Sequence, residues 1–271
     1  MDSAGPGGRR PPLHIALKRV TSEADVPQLA NINEKALEGD PLKLWMAAYT
    51  ERTEWKNTVE AVTGALGDPN YHLLKAVILD PSVESGEKIV GFVHWMCGYI
   101  HLENGYNSAQ SNLKRDLEPK DVIKDVKDPA SDVPEKLVGA ASQLEDDTTQ
   151  DRSDEDNRRA WRLKRGNAKY VETRNSYIGA IRGKKHIYIR RIMVLPEYQG
   201  HGVGRRLLKA VTDDADRQKI VCWLFARPAG EPLYAKLGFA IIYVVDMDEP
   251  EDDFVCPPAK GMMRLPVPVR D

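Results

Sequence analysis

Hydrophobic positions follow two periods along the chain, and together these periods predict an α/β protein. Alternating or continuous apolar runs predict strands, whereas apolar residues spaced three and four apart predict helices. The predicted strands cover residues 13–20, 72–79, 88–99, 187–195, 220–226, 239–247 and 261–265. The predicted helices cover residues 22–37, 44–66, 157–181, 203–218 and a short segment near 233–237. The second half of the chain therefore contains a strand, a turn and a helix in direct succession.

This strand–turn–helix unit carries the first chemical signal. The β-branched run from Ile187 to Leu195 predicts a strand, which Pro196 ends because proline brings no amide donor to a ladder. Three glycines at alternate positions follow, Gly200, Gly202 and Gly204, and an amphipathic helix begins there. The first N–H groups of such a helix are free, and glycines let a phosphate approach the backbone closely. The turn therefore predicts an anion-binding site.

Three phosphate-binding patterns compete for this turn. The Walker pattern requires Gly-Lys-Ser/Thr, which the chain lacks, and the dinucleotide pattern requires glycine where Arg205 stands. The third pattern, Q/R-x-x-G-x-G/A, is matched by Gln199, Gly202 and Gly204. A second motif, LYAKLGF at residues 233–239, follows one helix and one strand later. On these two motifs in this order, the chain resembles the GCN5-related N-acetyltransferases, the GNAT superfamily.

The resemblance implies a fold and an activity. The fold would be the GNAT acyltransferase fold, an α/β architecture with a mixed central sheet flanked by helices, here with a long charged insertion. The activity would be an acetyl-CoA-dependent N-acetyltransferase. An acetyl group would pass from acetyl-CoA to a primary amine by direct attack within a ternary complex.

The resemblance also assigns roles to residues of this chain. Backbone groups of the central strand would polarise the thioester carbonyl and hold the pantetheine arm, and the candidates are Met193, Val194 and Leu195. The loop would bind the pyrophosphate through Gln199, Gly200, His201, Gly202, Val203, Gly204 and Arg205. Tyr234 would protonate the departing thiolate, since a phenol stays neutral near pH 7.

The chain departs from the family pattern in three places. The family often has asparagine and alanine where this sequence has Arg227 and Gly230. Many members also carry a carboxylate on the central strand to deprotonate the amine, but residues 188–194 contain none. His94, His186 and a water relay are the alternatives for the base, which stays unassigned. These departures favour a second reading, a non-catalytic acyl-CoA-binding or scaffold protein, and a nucleotide-binding regulator is a third.

Composition changes abruptly in the middle of the chain and predicts its domain organisation. Residues 1–12 are expected to form a disordered tail, and residues 13–102 and 184–271 to form the acetyltransferase domain. Residues 103–183 would be an insertion, with an acidic, partly disordered segment followed by a basic helix. The charges of this insertion could pair internally, or they could bind a protein partner.

Charge and cysteine content limit the partners and the cellular compartment that we expect for the protein. The 271 residues carry a formal net charge of −2, which gives no reason to expect nucleic acid or an anionic membrane as partner. No apolar run approaches the roughly 20 residues of a membrane span, and the N-terminus has no signal-peptide core. Three cysteines without C-x-x-C spacing suit a reducing compartment, and six histidines without ligand spacing imply no metal. We therefore expect a cytoplasmic protein, with the nucleus left open.

Overall fold

The computed structural model describes residues 14–50, 53–99, 154–247 and 255–268. The predictions of a disordered tail at residues 1–12 and of a partly disordered acidic segment before residue 154 lie outside these residues. Within the described part of the chain, no helix combines the length and the apolar character needed to cross a membrane.

A seven-stranded mixed sheet forms the centre of the molecule. Its strands are β1 (Ala16–Arg19), β2 (Tyr71–Leu79), β3 (Glu87–Tyr99), β4 (Lys185–Val194), β5 (Val221–Ala226), β6 (Ala240–Val245) and β7 (Ala259–Arg264). They are arranged in the order β1-β2-β3-β4-β5-β7-β6. Among the described strands, only the β4–β5 pair is parallel, and the other five pairs are antiparallel. The predicted mixed sheet, including the closing β6–β7 hairpin, is thus confirmed.

Six α-helices surround the sheet in the described residues. They are α1 (Val26–Ala36), α2 (Pro41–Thr50), α3 (Glu54–Ala65), α4 (Asp154–Ile181), α5 (Val203–Gln218) and α6 (Glu231–Lys236). The single helix predicted for residues 44–66 is wrong, because α2 ends at Thr50 and α3 begins after Thr53. The Thr53 hydroxyl accepts a hydrogen bond from the amide of Lys56 at 3.3 Å and so caps α3. The sequence has no glycine or proline at this break, and the helical spacing of apolar residues continues through it. The pattern therefore predicted one helix where there are two.

Helices cover both faces of the sheet, and neighbouring strand residues show which face is which. Phe92 belongs to the core cluster beneath α1 and α3, whereas Val93 belongs to the cluster beneath α5. The α5 cluster contains the helix's buried apolar stripe, namely Val203, Leu207, Leu208 and Val211. α4 also packs against α2, β6 and β7. The sheet is therefore the middle of three layers.

Glycine allows the close approach of α4 to α2. A Cβ atom at Gly166 would lie 2.2 Å from the carbonyl oxygen of Tyr49. Tyr49 is itself buried and stacks on Trp45, with ring centroids 4.7 Å apart. The basic helix that the sequence predicts is thus confirmed as a helix, and its contact with α2 places it on the body of the protein.

A matched pair of glycine substitutions tests this contact. We expect Gly166→Ala to destabilise the protein by about 1–3 kcal/mol, because the Cβ cannot fit without displacing a backbone atom. Gly179 is in the same helix, and within the described part of the chain no atom outside its own turn of helix lies within 4 Å of its Cβ position. Gly179→Ala should therefore stabilise by about 0.5–1 kcal/mol through helix propensity. Urea unfolding of both variants measures the difference, and equal stabilities would show that α4 is not packed on α2.

Candidate active site

A cleft opens where β4 and β5 separate. The two strands pair only from His186 with Val221 to Ile189 with Leu224. Beyond this point β4 continues to Val194 along β3, while the last residues of β5 pair with β7. One edge of β4 therefore leaves the ladder over its last five residues, and its backbone groups there can bind an extended ligand.

The ladder decides which backbone groups face this cleft. The Leu195 N–H donates to the carbonyl of Val90 on β3 at 3.0 Å, so it points away from the opening. Because the hydrogen-bonding groups of a strand alternate between its edges, Met193 also faces β3, and Val194 faces the cleft together with Ile192. Of the three candidate positions, Val194 alone faces the cleft, and Ile192, which the sequence analysis did not name, faces the same way.

A β-bulge in β4 sets the orientation of the side chains at the cleft. His94 of β3 pairs with Arg191 and Trp95 pairs with Ile189, so Arg190 has no partner across the ladder. Ile189 and Ile192 both pack in the cluster beneath α5, although an unbroken strand would place them on opposite faces. The bulge therefore restores Ile192 to the α5 face and turns Arg191 toward α1 and α3.

The glycine turn leads directly from the cleft into α5. Gly200 and Gly202 adopt left-handed conformations, with φ of +78° and +82°, and Gly202 is the residue before the helix. Apart from its two chain neighbours, no described residue has an atom within 4 Å of a Cβ built on Gly202, so the described structure leaves the space before the helix N-terminus open. Val203 is buried beneath the helix, and Arg205 is exposed. This arrangement suits an anion on the free amides of the first turn.

Gln199 and His201 complete the loop. The Gln199 side-chain amide donates to the carbonyl of Val194 at 3.0 Å, and its own backbone N–H donates to Pro196. Both groups therefore hold the loop against the end of β4. His201 is half-buried between the two left-handed glycines.

Tyr234 lies in α6 beside this loop. The leucine that precedes it, Leu233, has its Cδ2 atom 3.3 Å from a Cβ built on Gly204. Tyr234 is buried in the same cluster as Val203, and burial raises the pKa of its hydroxyl well above its usual value of 10, with Arg227 acting in the opposite direction. The phenol is therefore protonated at neutral pH.

Gly230 leaves room for the ring of Tyr234, which packs directly against it. A Cβ at Gly230 would lie 2.7 Å from Cε2 of Tyr234 and 3.0 Å from its hydroxyl oxygen. An alanine at position 230 of this chain would therefore displace the ring. In this structure the Tyr234 ring therefore occupies the space that a side chain at position 230 would need.

The comparison with known protein families agrees with this geometry. Residues 165–241 match the model of the acetyltransferase (GNAT) domain, and this range contains β4, the glycine turn, α5, β5 and α6. Over this range the chain is similar to a GNAT acetyltransferase domain.

Individual relatives and solved structures are similar to the chain over different shares of its length. An uncharacterized N-acetyltransferase of Schizosaccharomyces pombe is 31% identical over 83 residues, which are 31% of this chain and 35% of the relative. The match thus spans about a third of the length of this curated relative. The crystal structure of arylalkylamine N-acetyltransferase 2 from Aedes aegypti is 14% identical, covers 93% of this chain and 99% of that chain, and has a TM-score of 0.55. Mosquito arylalkylamine N-acetyltransferase like 5b is 16% identical with a TM-score of 0.47, at 93% and 99% coverage. The first of these two structures shows the GNAT fold.

Close to this site, Arg227 takes part in an ion-pair network. Its guanidinium lies 2.9 Å from a carboxylate oxygen of Asp40 and 2.9 Å from one of Glu54. The other oxygen of Glu54 accepts a hydrogen bond from the amide of Asn33 at 3.2 Å. The sequence left open whether Arg227 meets a phosphate or solvent, and the structure places it on two carboxylates instead. The network was missed because its members come from segments far apart in the sequence.

His186 lies far from the opening of the cleft. Its Nδ1–H donates to the Lys184 carbonyl at 3.0 Å, so its Nε2 accepts from the Tyr177 hydroxyl at 2.5 Å. Burial lowers the pKa of His186 to about 4. The residue is eight positions before Val194, roughly 26 Å along the strand at about 3.3 Å per residue. These contacts are typical of a structural histidine.

His94 is fully buried on β3 beside Arg191. Neither ring nitrogen has a hydrogen-bond partner in the part of the chain that the structure describes. Burial, and then the nearby charges of Arg190 and Arg191, hold the pKa of His94 well below its usual value. A neutral imidazole with unused hydrogen-bonding capacity therefore lies next to the bulge.

Proposed function

We propose that the protein is an N-acetyltransferase that moves an acetyl group from acetyl-CoA to a primary amine by direct attack within a ternary complex. The observation that carries this proposal is the position of α6. Leu233 of this helix packs over Gly204, where its Cδ2 atom lies 3.3 Å from the position of a Cβ. This packing brings the neighbouring Tyr234 close to the glycine turn, at the end of the open β4 edge. One ligand that extends along β4 and ends on the α5 N-terminus would pass all of these groups.

Binding of CoA is divided between the loop and the strand. The backbone amides from Gly200 to Arg205 would bind the pyrophosphate, supported by the helix dipole and by the exposed guanidinium of Arg205. Gln199 would position this loop through its bond to Val194. The pantetheine arm would then run along the unpaired edge of β4 as an additional strand.

The acetyl carbonyl would be polarised by a backbone amide of β4. Val194 and Ile192 are the donors we propose, because the amides of Met193 and Leu195 are directed to β3. As the amine nitrogen bonds to the carbonyl carbon, the carbon–sulfur bond breaks and the sulfur leaves as a thiolate. Tyr234 would give its proton to that sulfur.

The proton of the amine is assigned to no side chain. His186 and His94 have lowered pKa values, and both oxygens of Glu54 are engaged. Water at the open cleft therefore remains the relay that we favour. Expectations of a cytoplasmic location, of the domain bounds 13–102 and 184–271, and of a protein partner for residues 103–183 stay predictions.

An acceptor panel tests the proposed function. Purified protein is given acetyl-CoA with amines of several classes, including arylalkylamines, polyamines, amino acids and peptides, and the free thiol is measured. We expect acceptor-dependent release of CoA with at least one class. Tight CoA binding without turnover on any class would instead support a non-catalytic acyl-CoA-binding protein, for which the missing strand carboxylate is the favouring observation. Preference for ATP or NAD over CoA would contradict both.

A further inference from the structure

Two arginines project from the bulge of β4 onto one face of the sheet. Arg190 lies over the ring of Tyr71, with its guanidinium carbon 5.7 Å from the ring centroid, and it contacts the Tyr71 hydroxyl at 3.5 Å. Arg191 contacts the backbone carbonyl of Asn57 in α3, also at 3.5 Å. Both contacts are at the limit of a hydrogen bond. The two guanidinium groups therefore share the α1–α3 side of the sheet, where β4 leaves β5.

Neither guanidinium forms an ion pair with a carboxylate in the described ranges. Glu54 is close enough to Arg191 to influence its charge, but its carboxylate already forms an ion pair with Arg227. Asp40 is likewise paired with Arg227. Both carboxylates are therefore engaged by Arg227, and the charges of Arg190 and Arg191 have no carboxylate partner among the described residues. Arg190 and Arg191 are also half-buried. A cation held partly out of water without an anion is unfavourable, so an anionic ligand would stabilise this region.

His94 supplies a second, independent sign of a ligand. It is the cross-strand partner of Arg191, it is fully buried, and its ring nitrogens lack partners among the described residues. A buried polar group without a partner costs free energy unless a ligand satisfies it. Its lowered pKa keeps the imidazole neutral, so it can serve a ligand without adding to the charge.

We propose that Arg190 and Arg191 bind the carboxylate of the acceptor, and that the acceptor is therefore a small amine that carries a carboxylate, such as an amino acid. This inference rests on the proposed function and names its substrate class. Guanidinium groups suit this ligand because they donate two parallel hydrogen bonds to a carboxylate. The phosphates of CoA are accounted for by the glycine turn.

The distance along β4 from the arginines to the amides that face the cleft fits a small acceptor. Ile192, whose amide faces the cleft, follows Arg191 directly, and Val194 lies three residues beyond it, roughly 10 Å at about 3.3 Å per residue. A carboxylate on the arginines would therefore leave the amine of one small molecule within reach of the acetyl carbonyl. The acceptor would enter from the α1–α3 side, opposite to α5.

Amines that differ only in the carboxylate provide the test. The pairs are tyramine with tyrosine, tryptamine with tryptophan, histamine with histidine, and cadaverine with lysine. In the wild type we expect kcat/KM to favour the carboxylated member of at least one pair by about tenfold or more, the range of a charge-assisted hydrogen bond. Arg190→Gln and Arg191→Gln should bring that ratio close to one, and Arg191→Lys should restore part of it. Arg19→Gln, on the exposed end of β1, is the control and should leave the ratio unchanged.

Failure of this inference is distinguishable from failure of the proposed function. Acetylation that favours the carboxylate-free members, or a ratio that neither arginine substitution changes, overturns the carboxylate site while the acetyltransferase activity stands. If no amine is acetylated, the same pairs are titrated by calorimetry into the CoA-saturated protein. Selective binding of the carboxylated members that is lost in both glutamine variants then supports the site. Equal binding of the two members, or no binding of either, overturns it.

Discussion

Gly202→Glu is expected to lower the affinity for CoA by about a hundredfold or more while the protein remains folded. The position directly precedes α5, and the space around it is open. A glutamate there would place a carboxylate where the pyrophosphate meets the free helix amides, replacing an attraction by a repulsion. Loss of two or more charge-assisted hydrogen bonds, at about 1.5–3 kcal/mol each, accounts for an effect of this size. Calorimetry with CoA measures it.

Backbone strain needs a separate control, because Gly202 has a φ of +82°. Gly67 has a φ of +83° and equally open surroundings, and it lies after α3, outside the glycine turn. Gly67→Glu should therefore cost the same roughly 1–2 kcal/mol of left-handed strain and leave CoA affinity unchanged. Equal CoA affinity in the wild type and both variants would contradict the proposal that this loop binds the pyrophosphate.

The parts of the site that the sequence predicted are those formed by contiguous residues. The glycine turn, the end of the strand at Pro196 and the apolar stripe of α5 all depend on local spacing, which the sequence displays directly. Tyr234 could be named as a candidate because it belongs to a short motif at a fixed distance from that turn. Local chemistry and the fold agree at these positions.

The remaining features arise from register and from contacts between distant segments. The bulge at Arg190 has no signature of its own, yet it decides that Arg191 faces α3 and that Ile192 faces α5. The network of Arg227 with Asp40 and Glu54 joins residues more than 170 positions apart. In the same way, the close contact of Gly166 with Tyr49 could not be read from the helical period alone. Sequence periodicity identifies elements, whereas these contacts depend on how the elements meet.

The final prediction concerns proton transfer to the leaving sulfur. Tyr234→Phe should slow turnover by roughly ten- to a thousandfold, close to the usual contribution of a general acid, with little change in acetyl-CoA affinity. The ring and its packing against Gly230 and Phe239 are retained, so only the hydroxyl proton is lost. Because burial raises the Tyr234 pKa, the wild-type phenol stays protonated as pH rises, and deprotonation of this group should cause no loss of rate below about pH 9.

Single-turnover rates with a good acceptor provide the decisive measurement for Tyr234, since slow product release could hide a change in the chemical step. Tyr243→Phe, on the exposed strand β6, is the matched control and should leave the rate unchanged. A loss confined to turnover would indicate an interaction made late, as the thiolate departs. Were water to protonate the sulfur instead, the effect would be at the lower end of the range. Identical rates for Tyr234→Phe and the wild type would reduce Tyr234 to a packing residue and would favour an acyl-CoA-binding protein over a catalyst.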